Sequence, residues 1–248
     1  MTDWASQVAA VTGSRGAIGA AIIAQLSGLG ARISGGDLAL SSDEVTPVLD
    51  VTDSASVEAW LDGVESSLGP ITIGVVCAGI SRQGRLVDTS DKDWNDVVAV
   101  NLTGAYYTSR GMIRRMLARG TKGRIVFVGS WAAHAPHPHI GAYSATKAGL
   151  RALCQTLALD HAADGILINE VAPGIVDAGL SAELFRRDPD LERRTRAAIP
   201  NGRVVDPGDV ARDVAFLASP DNRHTTGTYL ITDGGLSLSS TMNPGTRS

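Results

Sequence analysis

Short apolar runs alternate with segments of helical periodicity along nearly all of the 248 residues. Seven runs have the length and composition of strands: QVAAVT, ARISG, VTPVLDV, ITIGVVCAG, GRIVFVGS, ILINEVAPG and TYLITDGG. Helices are predicted between them, in AIGAAIIAQLSGLG, SASVEAWLDGVESSLG, residues 91–119, residues 142–163 and DPGDVARDVAFLAS. Strands separated by helices pair in parallel, because each connection crosses from one end of the sheet to the other. The pattern therefore predicts an α/β fold, with helices on both faces of a doubly wound, seven-stranded parallel sheet.

Two connections depart from this alternation. The segment DLALSSDEVTP, between the second and third strands, is too short for an ordinary crossover helix, so we expect a loop or a single turn there. Residues 178–203 are polar, rich in arginine and interrupted by prolines, and are predicted to form a substrate lid. Because the sequence contains no internal repeat or low-complexity linker, residues 1–248 are expected to form one domain.

Composition argues against several classes of function. Apolar residues make up 44% of the sequence and the formal net charge is −4, so no polybasic surface is available for nucleic acid. No apolar run reaches the roughly 18 residues that span a membrane, and the N-terminal segment does not resemble a secretion signal. Cys77 and Cys154 fit no metal-binding spacing and are expected to be reduced core thiols, which favours a cytoplasmic protein.

The sequence VTGSRGAIG follows the first strand and opens the first helix. Its glycines recur every three residues, where a tight turn leaves backbone N–H groups free at a helix N-terminus. Small residues admit a pyrophosphate, and the helix dipole favours its negative charge. A Rossmann-like dinucleotide site is therefore predicted, although similar glycine turns also occur without a ligand. The residues assigned to it are Gly13, Ser14, Arg15, Gly16, Ala17, Ile18 and Gly19.

Asp37, near the end of the second strand, bears on the choice of dinucleotide. A carboxylate there accepts hydrogen bonds from both ribose hydroxyls of an adenosine and repels a 2′-phosphate, which favours NAD as the cofactor over NADP. Arg15 argues in the opposite direction, because a guanidinium attracts that phosphate. We give Asp37 more weight, since its carboxylate would lie at the 2′ position itself. Asp50 and its neighbour Val51, at the end of the next strand, are predicted to lie at the adenine.

Tyr143 and Lys147 are four residues apart in GAYSATKAGL. On a helix these positions share a face, so the phenol and the ammonium project into the same space. The pair is either a surface contact or a phenol whose proton is made easier to remove by a fixed positive charge. A free phenol ionises near pH 10 and is a poor base at neutral pH, so acid–base catalysis by this tyrosine needs such a neighbour.

With these motifs in this order, the sequence resembles the short-chain dehydrogenase/reductase family. The resemblance covers nearly the whole chain, from TGSRGAIG, which is similar to the family's TGxxxGxG, through VNLTG, VGSWAA and YSATK to TDGG. Three departures are visible. Gly16 and Ala17 alter the glycine motif, Val76 and Cys77 replace the asparagines of the family's NNAG, and Ala178 replaces a threonine that usually follows the PG turn.

The resemblance implies four catalytic residues: Asn101, Ser130, Tyr143 and Lys147. Tyr143 would exchange a proton with the substrate oxygen, and Ser130 would donate a hydrogen bond to the same oxygen. Lys147 would hold the nicotinamide ribose, and Asn101 a water that links this lysine to solvent. Taken singly, Ser130 and Asn101 are also typical of turn and helix caps.

The resemblance also implies further contacts of the chain with the cofactor and with other copies of itself. The additional cofactor residues are Cys77, Ala78, Gly79, Tyr143, Lys147, Pro173, Gly174, Ile175 and Val176. A homotetramer is expected, in which the helices at residues 91–119 and 142–163 form the dimer contacts.

The segment WAAHAPHPHIGA, just before the YSATK motif, is predicted to form a wall of the substrate cleft. Its histidines, His134, His137 and His139, suggest a metal ion. However, alternating prolines scatter their directions, and no nearby carboxylate or cysteine completes a site, so no metal is expected. The imidazoles instead bond substrate hydroxyls or face solvent. The predicted substrate contacts are Ser130, Trp131, His137 and Tyr143.

The lid segment carries several arginines: Arg186, Arg187, Arg193, Arg194 and Arg196. Guanidinium groups bind carboxylates and phosphates, so an anionic substrate is one interpretation. The acidic residues among them favour the other, a solvated surface of paired charges.

The sequence therefore favours an NAD(H)-dependent oxidoreductase that interconverts a secondary alcohol, such as a sugar, polyol or hydroxy acid, and its ketone. A small-molecule substrate is its expected partner, with neither nucleic acid nor membrane. The first alternative is an NADPH-dependent reductase of 3-oxoacyl thioesters. The second is a non-catalytic regulator that senses dinucleotides, against which the complete set of catalytic residues argues.

Overall fold

Six parallel strands form one sheet in the computed structural model, which describes residues 3–38 and 48–239. The strands are β1 (Val8–Thr12), β2 (Arg32–Gly36), β3 (Ile73–Val76), β4 (Arg124–Val128), β5 (Leu167–Pro173) and β6 (Tyr229–Thr232). Their order across the sheet is β2-β1-β3-β4-β5-β6. The chain therefore starts in the interior of the sheet, runs outward to β2, returns past β1 and continues in the other direction.

Helices cover both faces of this sheet. In chain order they are α1 (Ala17–Gly28), α2 (Ser54–Leu68), α3 (Asp91–Val98), α4 (Gly104–Arg119), α5 (Gly141–His161), α6 (Gly179–Arg187), α7 (Pro189–Ala198), α8 (Pro207–Ala218) and α9 (Leu236–Ser239). None of the helices within the described residues is long and apolar enough to cross a membrane.

Alternating side chains of the strands build the two cores. On β1, Val8 and Ala10 pack with the apolar faces of α2, α4 and α5, whereas Ala9 and Val11 pack with those of α1 and α8. A strand buried on both faces has no polar side to alternate with, which explains the continuous apolar runs in the sequence. The predicted doubly wound α/β fold is confirmed.

Of the seventh strand predicted at VTPVLDV, residues 45–47 lie outside the described residues, and the described residues 48–51 form no strand of the sheet. Only one bridge joins Val48 to Asp37, beside β2, with a hydrogen bond from the Leu49 N–H to the Asp37 carbonyl. Beyond it the chain turns, because the Asp50 carboxylate accepts the N–H and hydroxyl of Thr52. These local bonds compete with sheet pairing. Of the loop predicted in DLALSSDEVTP, residues 39–47 lie outside the described residues.

The helical region predicted at residues 91–119 is interrupted by a π-helical segment, Ala99–Thr103, between α3 and α4. Asn101 lies in this segment, and its amide bonds the backbone of Ile80 after β3. Such a bulge turns a side chain out of helical register toward a site.

The predicted lid segment contains α6 and α7. The Asp188 carboxylate accepts the Leu191 N–H at the start of α7, and Pro189 occupies its first turn. The lid function of this segment stays a prediction.

Candidate active site

A cleft of about 1080 Å³ lies at the carboxyl end of the sheet. Its walls are formed by the segments that follow β1, β2, β3, β4 and β5, which contribute Gly13, Asp37, Cys77, Ser130 and Gly174. Since β2 and β3 lie on opposite sides of β1, the order in which the strands are added to the sheet reverses here. In open α/β sheets, ligands bind at this switch point, outside the carboxyl ends of the strands.

Close backbone packing explains two glycines of the loop between β1 and α1. Gly13 has φ +67°, and a Cβ there would lie 2.8 Å from the Cα of Ala78. A Cβ on Gly19 would lie 2.1 Å from the Gly13 carbonyl oxygen. By contrast, a Cβ on Gly16 would meet only that oxygen, at 3.4 Å. The loop thus requires glycine at 13 and 19 for its own packing, and tolerates a side chain at 16.

The start of α1 fits a pyrophosphate group. Gly16 is the N-cap residue and has no side chain to bond the first amides of the helix. Gly13, Arg15, Gly16, Ala17, Ile18 and Gly19 line the cleft here. Free amides and the helix dipole are the features that bind phosphates at such a terminus. Of the predicted loop, Ser14 alone does not line the cleft, since its side chain is buried against Gly35.

Asp37 lies on the cleft wall at the end of β2. Its Oδ2 accepts the backbone N–H of Arg15 at 2.9 Å, so the carboxylate is fixed to the glycine loop. Arg15 also lines the cleft. Asp50 and Val51 line the wall nearby, together with Leu49. The structure therefore brings together the residues predicted for the adenosine end.

Thr12 ties β1 to the segment after β3. Its hydroxyl oxygen accepts the N–H groups of Cys77 and Ala78, at 3.0 and 3.2 Å. The donors of these bonds are backbone N–H groups, so the bonds do not depend on the asparagine side chains that Val76 and Cys77 replace. Cys77 lines the cleft, and burial raises the pKa of its thiol to about 12 despite the nearby charge of Lys147. The thiol is therefore protonated at neutral pH.

Tyr143 and Lys147 lie on the first turns of α5. Tyr143 lines the cleft, whereas Lys147 is buried behind it, with Nζ 5.6 Å from the centre of the tyrosine ring. The ammonium donates to the Val128 carbonyl at 2.8 Å. A Cβ on Gly79, on the opposite wall, would lie 3.6 Å from Nζ. The positive charge is thus held between the tyrosine and the predicted cofactor segment.

Asn101 is buried and forms three hydrogen bonds to protein groups. Its Nδ2 donates to the Ile80 carbonyl and the Thr146 hydroxyl, at 2.9 and 3.1 Å, and its Oδ1 accepts the Ile80 N–H at 2.8 Å. It therefore fastens the segment after β3 to α5. The predicted water-holding role stays a prediction.

Ser130 follows β4 and caps the short 3-10 turn Trp131–Ala133. Its Oγ accepts the Ala132 N–H at 3.1 Å and lines the cleft. A hydroxyl that accepts this bond keeps its own proton to donate. Capping and catalysis, which are alternatives for this residue in the sequence, are therefore compatible.

Apolar side chains surround the end of the cleft next to Ser130. Trp131 packs in one cluster with Phe185 from α6 and with Leu191 from α7. Leu184, Phe185 and Leu191 line the cleft, although the sequence analysis did not select them. Their signal in the sequence is a few apolar residues within an otherwise charged segment.

The histidine segment contributes two imidazoles to the lining. His137 lies edge-on to Trp131, with the ring centres 5.8 Å apart, and its Nδ1 is 2.8 Å from the Pro138 carbonyl oxygen. His139, which was not among the predicted contacts, also lines the cleft. It has φ +67°, a region that residues other than glycine adopt at a cost.

Four of the five lid arginines pair with carboxylates, and the fifth, Arg186, is exposed and does not line the cleft. Arg187 pairs with Glu183, and Arg196 lies 2.8 Å from Glu192. Two more pairs join Arg193 to Asp190 and Arg194 to Asp188. Since no arginine of α6 or α7 lines the cleft within the described residues, the arrangement favours the solvated surface over an anionic substrate.

Comparisons with known proteins extend over nearly the whole chain. Residues 15–237 match the family model described as enoyl-(acyl carrier protein) reductase. The chain is 36% identical over 243 residues to the 3-oxoacyl-[acyl-carrier-protein] reductase FabG of Haemophilus influenzae, with 94% of this chain and 99% of that protein covered. It is 39% identical over 189 residues to 3beta-hydroxysteroid dehydrogenase 1 of Eggerthella lenta, with coverages of 76% and 72%. The crystal structure of gox2181 matches with a TM-score of 0.88 and 32% identity, over 94% of this chain and 96% of that chain.

Proposed function

The chain belongs to the short-chain dehydrogenase/reductase family of oxidoreductases, and on that premise we propose that it interconverts a secondary alcohol and its ketone with NAD(H). Asp37, fixed on the cleft wall, is the observation that carries the choice of dinucleotide. A bound nicotinamide dinucleotide supplies or accepts the hydride. The chain itself has to bind the two molecules, orient them and move one proton.

Tyr143 moves that proton. In reduction its hydroxyl donates to the carbonyl oxygen of the substrate, and in oxidation the phenolate accepts the proton of the alcohol. The Lys147 ammonium is buried next to the ring, so its positive charge attracts the negative charge that develops on the tyrosine oxygen as the proton leaves. Ser130 donates a hydrogen bond to the same substrate oxygen and stabilises the negative charge that develops there.

Asp37 is proposed to accept the ribose hydroxyls of NAD. Its carboxylate is fixed to the glycine loop by the Arg15 N–H, so it cannot swing away from a 2′-phosphate without breaking that bond. The guanidinium of Arg15 is the group that would favour NADP. Because Arg15 is exposed and long, its charge is more easily screened by solvent than that of the fixed carboxylate.

The lining near Ser130 favours an apolar substrate over the sugars and polyols considered first. Trp131, Leu184, Phe185 and Leu191 offer apolar surface to the groups that flank the carbonyl. A 3-oxoacyl thioester, whose acyl chain is apolar, is therefore a second candidate. The names of several relatives, 3-oxoacyl-[acyl-carrier-protein] reductases, favour it independently.

Initial rates with each dinucleotide test the proposal directly. The substrates are ethyl 3-oxobutanoate, a 3-oxoacyl thioester and, in the oxidative direction, a polyol. We expect the parent protein to prefer NADH, and Asp37→Ala to shift the ratio of kcat/KM values toward NADPH by about 10- to 100-fold, or roughly 1.4–2.8 kcal/mol.

Arg15→Ala is the matched control, since it removes the opposite charge from the same end of the cleft. It is expected to lower only the activity with NADPH. A parent protein that prefers NADPH would overturn the assignment of Asp37. A thioester that reacts much faster than the simple ketoester would favour the second candidate.

A further inference from the structure

A buried ion pair lies directly behind the segment that carries Ser130. Glu170 on β5 has 1% of its side chain exposed and Arg151 on α5 has 13%. The guanidinium binds the carboxylate with two hydrogen bonds, Nε to Oε2 and Nη2 to Oε1, each 3.0 Å long. Two parallel bonds fix the planes of both groups as well as their separation.

Glu170 is packed against the residue that precedes Ser130. A Cβ on Gly129 would lie 1.9 Å from Oε1 of Glu170, so the carboxylate occupies the space beside the Gly129 backbone. The Gly129 N–H donates to the Val171 carbonyl at 2.8 Å. The end of β4 is therefore held by β5 through both a backbone bond and the carboxylate.

Arg151 approaches the same segment from the helix side. Its Nη2 lies 3.5 Å from the carbonyl oxygen of Ser130, a long hydrogen bond. Arg151 follows Tyr143 and Lys147 at successive intervals of four residues, so all three share one face of α5. One helix face thus carries the tyrosine, the lysine and the group that contacts the serine backbone.

Tyr229 fixes the guanidinium from a third side. The Arg151 Cζ lies 4.0 Å from the centre of the Tyr229 ring, on β6. The head group is therefore constrained by α5, β5 and β6. Stability alone is a weak explanation for this arrangement, because the loss of hydration of a buried ion pair offsets most of its attraction.

We propose that Arg151 and Glu170 are positioning residues, which set the location of the Ser130 hydroxyl relative to Tyr143. Neither side chain is assigned a contact with the substrate. They act on the Gly129–Ser130 backbone, and through it on the hydrogen bond that Ser130 donates to the substrate oxygen. The inference rests on the proposed function.

The test compares variants that alter the ion pair with a variant that lacks the serine hydroxyl. The variants are Glu170→Gln, Arg151→Lys and the double variant Arg151→Met/Glu170→Gln. With NADH and ethyl 3-oxobutanoate, we expect the double variant to lower kcat about 10-fold. This is less than the roughly 10²- to 10³-fold loss of kcat that follows the removal of a whole oxyanion donor. The KM for NADH is expected to stay unchanged.

Arg151→Lys keeps the charge but not the two parallel bonds, so it should lower kcat by a smaller factor. It keeps the proposal testable if the double variant does not fold.

A second arm places the same substitutions in a Ser130→Ala background. If the pair acts through the serine hydroxyl, they lower kcat no further there. A tenfold loss that persists without the hydroxyl would overturn the proposal, as would an unchanged kcat in the parent background.

Arg115→Met/Glu58→Gln is the matched control. Arg115 is also 13% exposed and pairs with Glu58 across α2 and α4, away from the cleft. Its loss is expected to lower thermal stability and leave kcat unchanged. An equal fall in kcat for this control would assign the effect to general destabilisation and overturn the positioning role.

Crystal structures of the parent and of Glu170→Gln separate this inference from the proposed function. If the parent reduces no ketone, the proposed function fails, but the position of Ser130 is still measured. A displacement of the Ser130 hydroxyl by about 0.5 Å or more, with Tyr143 and Lys147 in place, supports the positioning role. An unmoved Ser130 overturns it.

Discussion

Tyr143 concentrates the proposed chemistry in one hydroxyl group. The substitution Tyr143→Phe removes that hydroxyl and leaves the ring, the Lys147 ammonium and the glycine loop in place. We expect kcat to fall by about 10²- to 10⁴-fold, the usual contribution of a general acid–base group. Binding of NADH, measured by fluorescence titration, should change little. A variant that turns over as fast as the parent across the pH range would contradict the mechanism.

In the histidine segment, the backbone conformation of a single residue, His139, affects which side chains line the cleft. His139 adopts a left-handed backbone conformation, and its carbonyl accepts the N–H of Gly84, which bridges to Ile140. This bridge ties the imidazole segment to the loop between β3 and α3. His137 and His139 therefore line the cleft together, while His134 is not part of the lining within the described residues.

At the scale of elements, the junction between β1 and α1 allows a matched pair of substitutions. In Gly19→Ala, the new Cβ would lie 2.1 Å from the Gly13 carbonyl oxygen, so the helix has to move away from the loop. We expect a loss of about 1–3 kcal/mol in the free energy of unfolding, the usual cost of overpacking, and weaker NADH binding.

Gly16→Ala is the control for this prediction, because it adds the same methyl group three residues earlier. Gly16 has φ −64°, which alanine adopts readily, and its Cβ would meet the Gly13 oxygen at 3.4 Å. Thermal unfolding and NADH titration of both variants check the difference. Equal losses in the two variants would mean that the loop is not as tightly packed as described.

For the whole molecule, the expected homotetramer stays a prediction, which exposed apolar side chains on α4 and α5 make testable by substitution. Leu159 on α5 is 81% exposed, and Tyr106 and Leu117 on α4 are also exposed. These helices occupy the regions predicted to form the dimer contacts. Size-exclusion chromatography with light scattering should give about four times the chain mass of 25.7 kDa.

Leu159→Glu places a charge in the expected contact and should produce smaller assemblies. Ser66→Glu adds the same charge to the exposed surface of α2 and should leave the assembly intact. A parent protein that is monomeric at micromolar concentration would contradict the tetramer. A cytoplasmic location remains a proposal of the same kind.

The sequence alone determined the alternation of strands and helices that makes the α/β fold, the place of the glycine loop, and the position of Tyr143 and Lys147 on one helix face. These follow from local rules: apolar periodicity, the backbone freedom of glycine and the spacing of residues on one helix face. The sequence also showed that Val76 and Cys77 replace the family's asparagines, but not how this part of the sheet is then held together. Only the structure shows that the Thr12 hydroxyl bonds the backbone at this point.

The tertiary structure alone decided what depends on contacts between distant segments. Residues 48–51, part of the predicted seventh strand, make one bridge to Asp37 and then turn, because the Asp50 carboxylate bonds Thr52. The apolar lid residues reach the cleft only because α6 and α7 fold over Trp131. Glu170 lies behind Ser130 because β5 is paired with β4, although the two residues are 40 positions apart in the sequence and no periodicity relates them.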